Sequence, residues 1–213
     1  MWWLVGCVVA TLAHAVASLL WLPEPAPDPD AEPKLAYRAL LTWPRIAVLA
    51  LVASLAASTL LIVPAPVRPV WFVYCSAVLV AVWIDLQTTY LPKLLHWVCL
   101  AELLIALAWV RPGWEAAARV AIAGLATAAL FWVVWRSSGT FGFGDVRLGL
   151  IVGGVPALWG WAHWYQALFL GVLIGAIWAV AAALRARRRD AVFPYGPALW
   201  LGPVLMAVIA AAS

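Results

Sequence analysis

The sequence predicts an all-α fold, a polytopic helical membrane protein with about eight transmembrane helices. Of the 213 residues, 67% are hydrophobic and only 10% are charged, whereas soluble globular domains are about 45–50% apolar and about 25% charged. The mean hydropathy of +1.02 agrees with this composition. The apolar residues form continuous runs instead of alternating with polar ones, which excludes a transmembrane β-barrel.

Each transmembrane helix needs about 20 mostly apolar residues, and turns rich in proline, glycine or charge divide the chain into eight apolar segments. The first segment lacks the basic region that opens a secretory signal, so we expect a retained helix there. The expected spans are Trp2–Leu22, Trp43–Val63, Val70–Asp85, Leu94–Val110, Glu115–Trp135, Val146–Trp161, Tyr165–Leu184 and Pro197–Ala212.

These segments suggest a simple organisation. Residues 1–22 form the first transmembrane helix, and residues 23–42 form a cytoplasmic linker with five prolines. Such a linker is too short and too proline-rich to be a domain. Residues 43–213 then form a seven-helix membrane core.

The distribution of basic residues predicts the orientation. With the N-terminus outside, three basic residues are extracytoplasmic, namely Arg68, Arg111 and Arg119. Ten others are then cytoplasmic, namely Lys34, Arg38, Arg45, Lys93, Arg136, Arg147, Arg185, Arg187, Arg188 and Arg189. This bias follows the positive-inside rule, so we expect both termini to be extracytoplasmic in a cytoplasmic (inner) membrane.

Two acidic residues at span ends are candidates for chemistry, because carboxylates in or beside a membrane are costly. Asp85 ends the third expected span and Asp145 precedes the sixth. Since an even number of crossings separates them, both lie on the same membrane face. A paired carboxylate site can share one proton, so that one member activates water while the other polarises a carbonyl group. Gly142 and Gly144 would allow close backbone approach beside Asp145.

Three sequence motifs carry a resemblance to a known family. They are Ile84-Asp85-Leu86-Gln87 with Pro92 seven residues after the aspartate, then Gly142-Phe143-Gly144-Asp145-Val146-Arg147-Leu148, and finally Phe193-Pro194-Tyr195-Gly196-Pro197. In this order, from residue 70 to residue 213, they resemble the prepilin peptidases, the type IV leader peptidases among the membrane-embedded GxGD aspartic proteases.

The resemblance implies an aspartic endopeptidase that removes the short basic leader of pilin-like precursors, the prepilins and pseudopilins, at the cytoplasmic face. Asp85 and Asp145 would be catalytic. Substrate binding and the shape of the cleft would depend on Gly142, Gly144, Pro92, Pro194, Gly196 and Pro197. We expect no cofactor, no metal and no nucleic acid, and the expected partners are the precursor substrates and membrane lipids.

The chain departs from larger members of that family, which carry two CxxC pairs after the first span and also N-methylate the product. The linker contains no cysteine, so we do not expect methyltransferase activity. Two alternatives remain open: a proton- or cation-coupled small transporter that uses the same acids, and a non-catalytic assembly subunit. Of the other charged residues, we expect Glu102 to be structural, Glu115 to pair with Arg119 and the Arg185–Arg189 cluster to determine topology.

Overall fold

The computed structural model describes residues 2–24, 35–138, 142–186 and 194–212, and these residues contain helices and no strand. A short 3₁₀ turn, Tyr37–Leu40, precedes the second helix. In chain order the helices are α1 Trp2–Trp21, α2 Trp43–Ile62, α3 Ala65–Thr88, α4 Lys93–Val110, α5 Trp114–Ser138, α6 Phe143–Ala157, α7 Trp161–Ala186 and α8 Gly196–Ala212.

The protein is a polytopic helical membrane protein, as the sequence predicts. Six helices, α1 to α5 and α7, are long and apolar enough to cross a membrane. Helices α6 and α8 have 15 and 17 residues, and a 15-residue helix is about 22 Å long, shorter than the hydrocarbon core of about 30 Å. Helix α6 packs most extensively against α5 and also contacts α7, so it is largely covered by protein.

Two helix boundaries near the acidic residues differ from the expected ones. Helix α3 continues to Thr88, so Asp85 lies one turn inside the helix instead of at its end. The helix stops where Thr89 adopts a left-handed conformation with φ 53°. Helix α6 begins at Phe143, which places Asp145 inside its first turn. Apolar content alone misplaces such ends, because the backbone hydrogen bonds continue beyond the last apolar residue.

Close packing of small residues holds α6 against α5. A Cβ atom at Gly124 would lie 2.7 Å from the carbonyl oxygen of Leu150, and one at Gly149 would lie 2.9 Å from the ring of Phe131. A Cβ atom at Gly153 would collide with Thr127. Small residues of this kind let two membrane helices approach closely. The position of α6, and hence of its first turn, is therefore fixed by α5.

A reciprocal contact joins α3 to α8. The hydroxyl group of Tyr74 donates to the carbonyl oxygen of Trp200 at 2.9 Å, and the indole nitrogen of Trp200 donates to the carbonyl oxygen of Tyr74 at 3.2 Å. Their rings are stacked with centroids 6.1 Å apart. Tyr74 begins a π-helical turn, Tyr74–Val78, within α3. This contact fixes the first half of α8 relative to the middle of α3.

Glu102 has a partner that sequence reasoning did not identify. The carboxylate of Glu102 on α4 lies 2.7 Å from Nε2 of His14 on α1. Each side chain is about one-third exposed, at 31% and 28% respectively. The pair connects the N-terminal helix to the core and agrees with a structural role for Glu102. Partner choice between distant helices leaves no periodic signal in a single sequence.

The expected ion pair between Glu115 and Arg119 is wrong. Arg119 points towards the end of α6, where its Nε donates to the carbonyl oxygen of Ala157 at 2.6 Å and its Nη2 donates to that of Leu158 at 3.2 Å. The last carbonyl groups of a helix have no partners within it. The guanidinium group therefore satisfies the carbonyl groups of a buried helix end, whereas an exposed ion pair with Glu115 would add little stability.

Candidate active site

Asp85 is buried near the end of α3, with 6% of its surface exposed. The N–H group of Thr89 donates to its carbonyl oxygen at 2.7 Å and closes the last turn of the helix. The hydroxyl group of Thr88 donates to the carbonyl oxygen of Ile84 at 2.7 Å. These local bonds hold the last turn of α3 rigid around the aspartate.

Gly196, the first residue of α8, contacts the carboxyl group of Asp85. Its N–H group donates to Oδ2 of Asp85 at 3.1 Å. A Cβ atom at position 196 would lie only 2.6 Å from the same oxygen, so the contact requires a glycine. The start of a helix carries partial positive charge from its unpaired N–H groups. The first turn of α8 therefore stabilises negative charge on Asp85.

Asp145 is half-buried in the first turn of α6, where the two glycines of the second motif surround it. Its N–H group donates to the carbonyl oxygen of Gly142 at 3.1 Å. A Cβ atom at Gly142 would lie 3.3 Å from Oδ2 of Asp145, and one at Gly144 would lie 3.0 Å from the side chain of Leu91. Because these two positions lack a Cβ atom, the turn can pack closely against the carboxyl group of Asp145 and against the loop between α3 and α4.

The three sequence motifs meet at this end of the bundle. Asp85 and Asp145 lie close enough for their charges to interact. Tyr195, next to Gly196, lies close to Asp145 as well. Burial and the neighbouring Asp145 carboxylate raise the pKa of Tyr195, and its hydroxyl group donates to the carbonyl oxygen of Val172 at 3.3 Å. Segments more than 100 residues apart in the chain therefore form one site.

Arg147 supports the site in a way that the sequence analysis did not anticipate. Its Nη2 donates to the carbonyl oxygen of Leu91 at 3.2 Å, which ties α6 to the loop against which Gly144 packs. Its Nε and Nη1 atoms are buried without a hydrogen-bond partner among the described residues. The sequence analysis included Arg147 in the second motif and counted its charge, but assigned it no contact in the site.

The remaining predicted site residues occupy less central positions. Pro92 is buried directly before α4 and lines a groove between α1 and α4. Pro194 is half-buried, whereas Pro197 is buried in the first turn of α8. Phe193 of the third motif, residues 25–34 of the expected linker and Arg187–Arg189 of the basic cluster lie outside the described residues.

The described residues contain no group of three or more histidine, cysteine or acidic side chains that could hold a metal ion. Cys7, Cys75 and Cys99 are buried and free. The polar groups at this end of the bundle include the two carboxyl groups, the N–H group of Gly196, the hydroxyl group of Tyr195 and the guanidinium group of Arg147.

Comparison with known proteins identifies the family. The model of the type IV leader peptidase family matches residues 72–180, just over half of the chain. The matched region contains Asp85, Gly142, Gly144 and Asp145, and it ends before α8. No curated protein and no solved structure matches the chain. On the strength of the family match, the chain belongs to the type IV leader peptidase family.

Proposed function

We propose that the protein is an aspartic endopeptidase that removes the leader of pilin-like precursors, with Asp85 and Asp145 as its catalytic pair. The observation that carries this proposal is the meeting of the two acids from α3 and α6 at one end of the bundle, together with the N–H group of Gly196 on Asp85. Membership of a peptidase family supports the reaction class.

Two neighbouring carboxyl groups in a poorly solvated site hold one proton between them, because two adjacent negative charges repel each other strongly. The ionised member takes a proton from a water molecule, which attacks the scissile carbonyl carbon. The protonated member donates its proton to the carbonyl oxygen as the tetrahedral intermediate forms. The hydrogen bond from Gly196 holds the Asp85 carboxyl group in a fixed orientation throughout.

The location of the acids suits a substrate that is itself a membrane protein. Pilin-like precursors carry a short basic leader, a glycine before the cut and then an apolar helix. Cleavage at the point where that helix leaves the bilayer requires catalytic groups at the membrane edge. The topology expected from the sequence puts ten basic residues on this side and three on the other, which favours a cytoplasmic location for the cut.

The proposal is tested by replacing each acid with its amide in a purified enzyme and measuring cleavage of a synthetic precursor. We expect Asp85→Asn and Asp145→Asn each to reduce the cleavage rate by a factor on the order of 10⁴, because an amide neither accepts the proton from water nor shares one. The double variant should be no slower than either single one, since the effects of replacing residues that act as a unit are not additive.

Glu102→Gln is the matched control, because it makes the same carboxylate-to-amide change outside the site. We expect it to retain most activity while keeping a hydrogen bond to His14. Substantial cleavage by either aspartate variant would contradict the peptidase proposal and favour the transporter alternative. An equal loss with Glu102→Gln would show that the working acids have been misidentified.

A further inference from the structure

We propose that an apolar cleft beside Asp85 binds the apolar helix that follows the cleavage site of the substrate. This inference rests on the proposed peptidase function and adds a binding site to it. The cleft lies between α2, α3 and α8, with α7 at one side, and has a volume of about 410 Å³. Its lining is almost entirely apolar.

The spacing of the lining residues is that of a helix-binding surface. Helix α3 contributes Leu79, Val82, Trp83 and Leu86, and α8 contributes Pro197, Trp200, Leu201 and Val204. On both helices the positions are i, i+3, i+4 and i+7, which form one continuous stripe along a helix face. Side chains of a neighbouring helix pack into grooves between such stripes.

One end of the cleft is lined by residues that are adjacent in the chain to the site. Leu86 directly follows Asp85, and Pro197 directly follows Gly196, whose N–H group binds Asp85. From Leu86 the α3 stripe runs seven residues back to Leu79, about 10 Å along the helix axis. A substrate segment with its cleavage site at the two acids would therefore extend along this cleft away from the edge of the bundle.

The residues that line the cleft differ in burial, so the cleft has a buried floor and an accessible rim. Val82, Trp83 and Trp200 are buried and form the floor, whereas Leu55 on α2 is 66% exposed. Leu201 on α8 is half-buried beside it. The walls contribute almost no polar surface, so the cleft matches an apolar helix and not the basic leader. The leader would then lie on the other side of the acids.

The test compares two synthetic substrates that share the same cleavage site. One is a precursor with a basic leader, a glycine before the cut and an apolar helix of about 20 residues. The other is a peptide that ends a few residues after the cut. Leu201→Trp and Val52→Trp each place a large ring in the cleft, whereas Leu125→Trp makes the matched change at a 63% exposed position on α5.

We expect the two cleft variants to raise KM for the precursor about tenfold, with little change in kcat, while cleavage of the short peptide stays at the wild-type level. Leu125→Trp should leave both substrates unaffected. Unchanged KM for the precursor in both cleft variants would overturn the inference and show that lipid alone fills the cleft. An equal loss with both substrates would also overturn it, because the defect would then lie at the acids.

A second measurement does not depend on how well the tryptophan variants fold. A photo-crosslinking amino acid at position 52 or 201, in an Asp145→Asn background that retains the uncleaved precursor, should react with the apolar helix of the precursor. The same group at position 125 should not. Crosslinks to lipid only would overturn the docking inference and leave the peptidase proposal standing. A wild-type enzyme that cleaves neither substrate would overturn both.

Discussion

Gly196 shows how the absence of a side chain can permit a close contact at the proposed active site. The backbone N–H group reaches the carboxyl group of Asp85 because no Cβ atom stands between them, and a Cβ atom would lie 2.6 Å from Oδ2. The contact joins the third motif of the sequence to the first. Glycine is required at this position because a side chain would not fit. The backbone does not require it, since the φ angle of Gly196 is not positive.

We expect Gly196→Ala to reduce the cleavage rate about 100-fold, since displacements on the order of 1 Å at a reacting group can have effects of this size. The added methyl group must push Asp85 or the start of α8 out of position. Gly113→Ala is the matched control, because a Cβ atom there has no neighbour within 4 Å. Rates measured on the synthetic precursor decide the matter, and equal rates for Gly196→Ala and wild type would contradict the proposed role.

At the scale of elements, the contact between α5 and α6 determines where Asp145 lies. Gly153 and its neighbour Gly154 provide an internal comparison. A Cβ atom at Gly153 would collide with Thr127, whereas one at Gly154 would lie 3.4 Å from Val120, an ordinary contact. The two positions differ in the room available for a side chain, although both are glycines on the same helix.

We expect Gly153→Ala to destabilise the protein by about 1–3 kcal/mol, the usual cost of overpacking, and to reduce cleavage through the displacement of α6. Gly154→Ala should change stability by less than about 0.5 kcal/mol. Unfolding in detergent, followed by circular dichroism, would measure both changes. A smaller loss of stability for Gly153→Ala than for Gly154→Ala would show that α5 does not fix the position of α6.

The elements also show where sequence reasoning succeeds and where it fails. Apolar runs bounded by polar turns predicted α1 to α8 of the described residues, although α6 and α8 are shorter than a full span of about 20 residues. The end of α3 and the partners of Arg119 and Glu102 depend on contacts between segments far apart in the chain. No periodicity within one segment encodes such contacts, so these features required the three-dimensional structure.

For the whole molecule, the number of spans between Asp85 and Asp145 was enough to predict that they share a face. The structure brings the two acids near enough for their charges to interact, and the first turn of α8 contacts Asp85. The glycine-rich second motif and the proline-glycine third motif identified these segments in advance. The cleft along α3 and α8 could not be foreseen, since it depends on how four helices are arranged.

The predicted orientation is tested with reporter fusions. We expect a reporter after Arg189 to be cytoplasmic and one after Ser213 to be extracytoplasmic, because the expected topology puts ten of the thirteen basic residues on the side of the two acids. Enzymatic reporters that are active on only one side of the membrane would show this. An extracytoplasmic signal after Arg189 would leave the two acids on one face but exclude a cytoplasmic cut.

The π-helical turn Tyr74–Val78 accommodates one extra residue in α3 about two turns before Asp85. A π turn contains one residue more than an α turn, and each residue of an α-helix rotates the following side chains by about 100°. Deleting one residue from this turn would convert it to an α turn and leave Asp85 facing Gly196, whereas deleting one residue from the regular helix between Val78 and Asp85 would turn Asp85 away from Gly196. The π turn thus accommodates one extra residue about 10 Å before Asp85 without changing the direction of its carboxyl group.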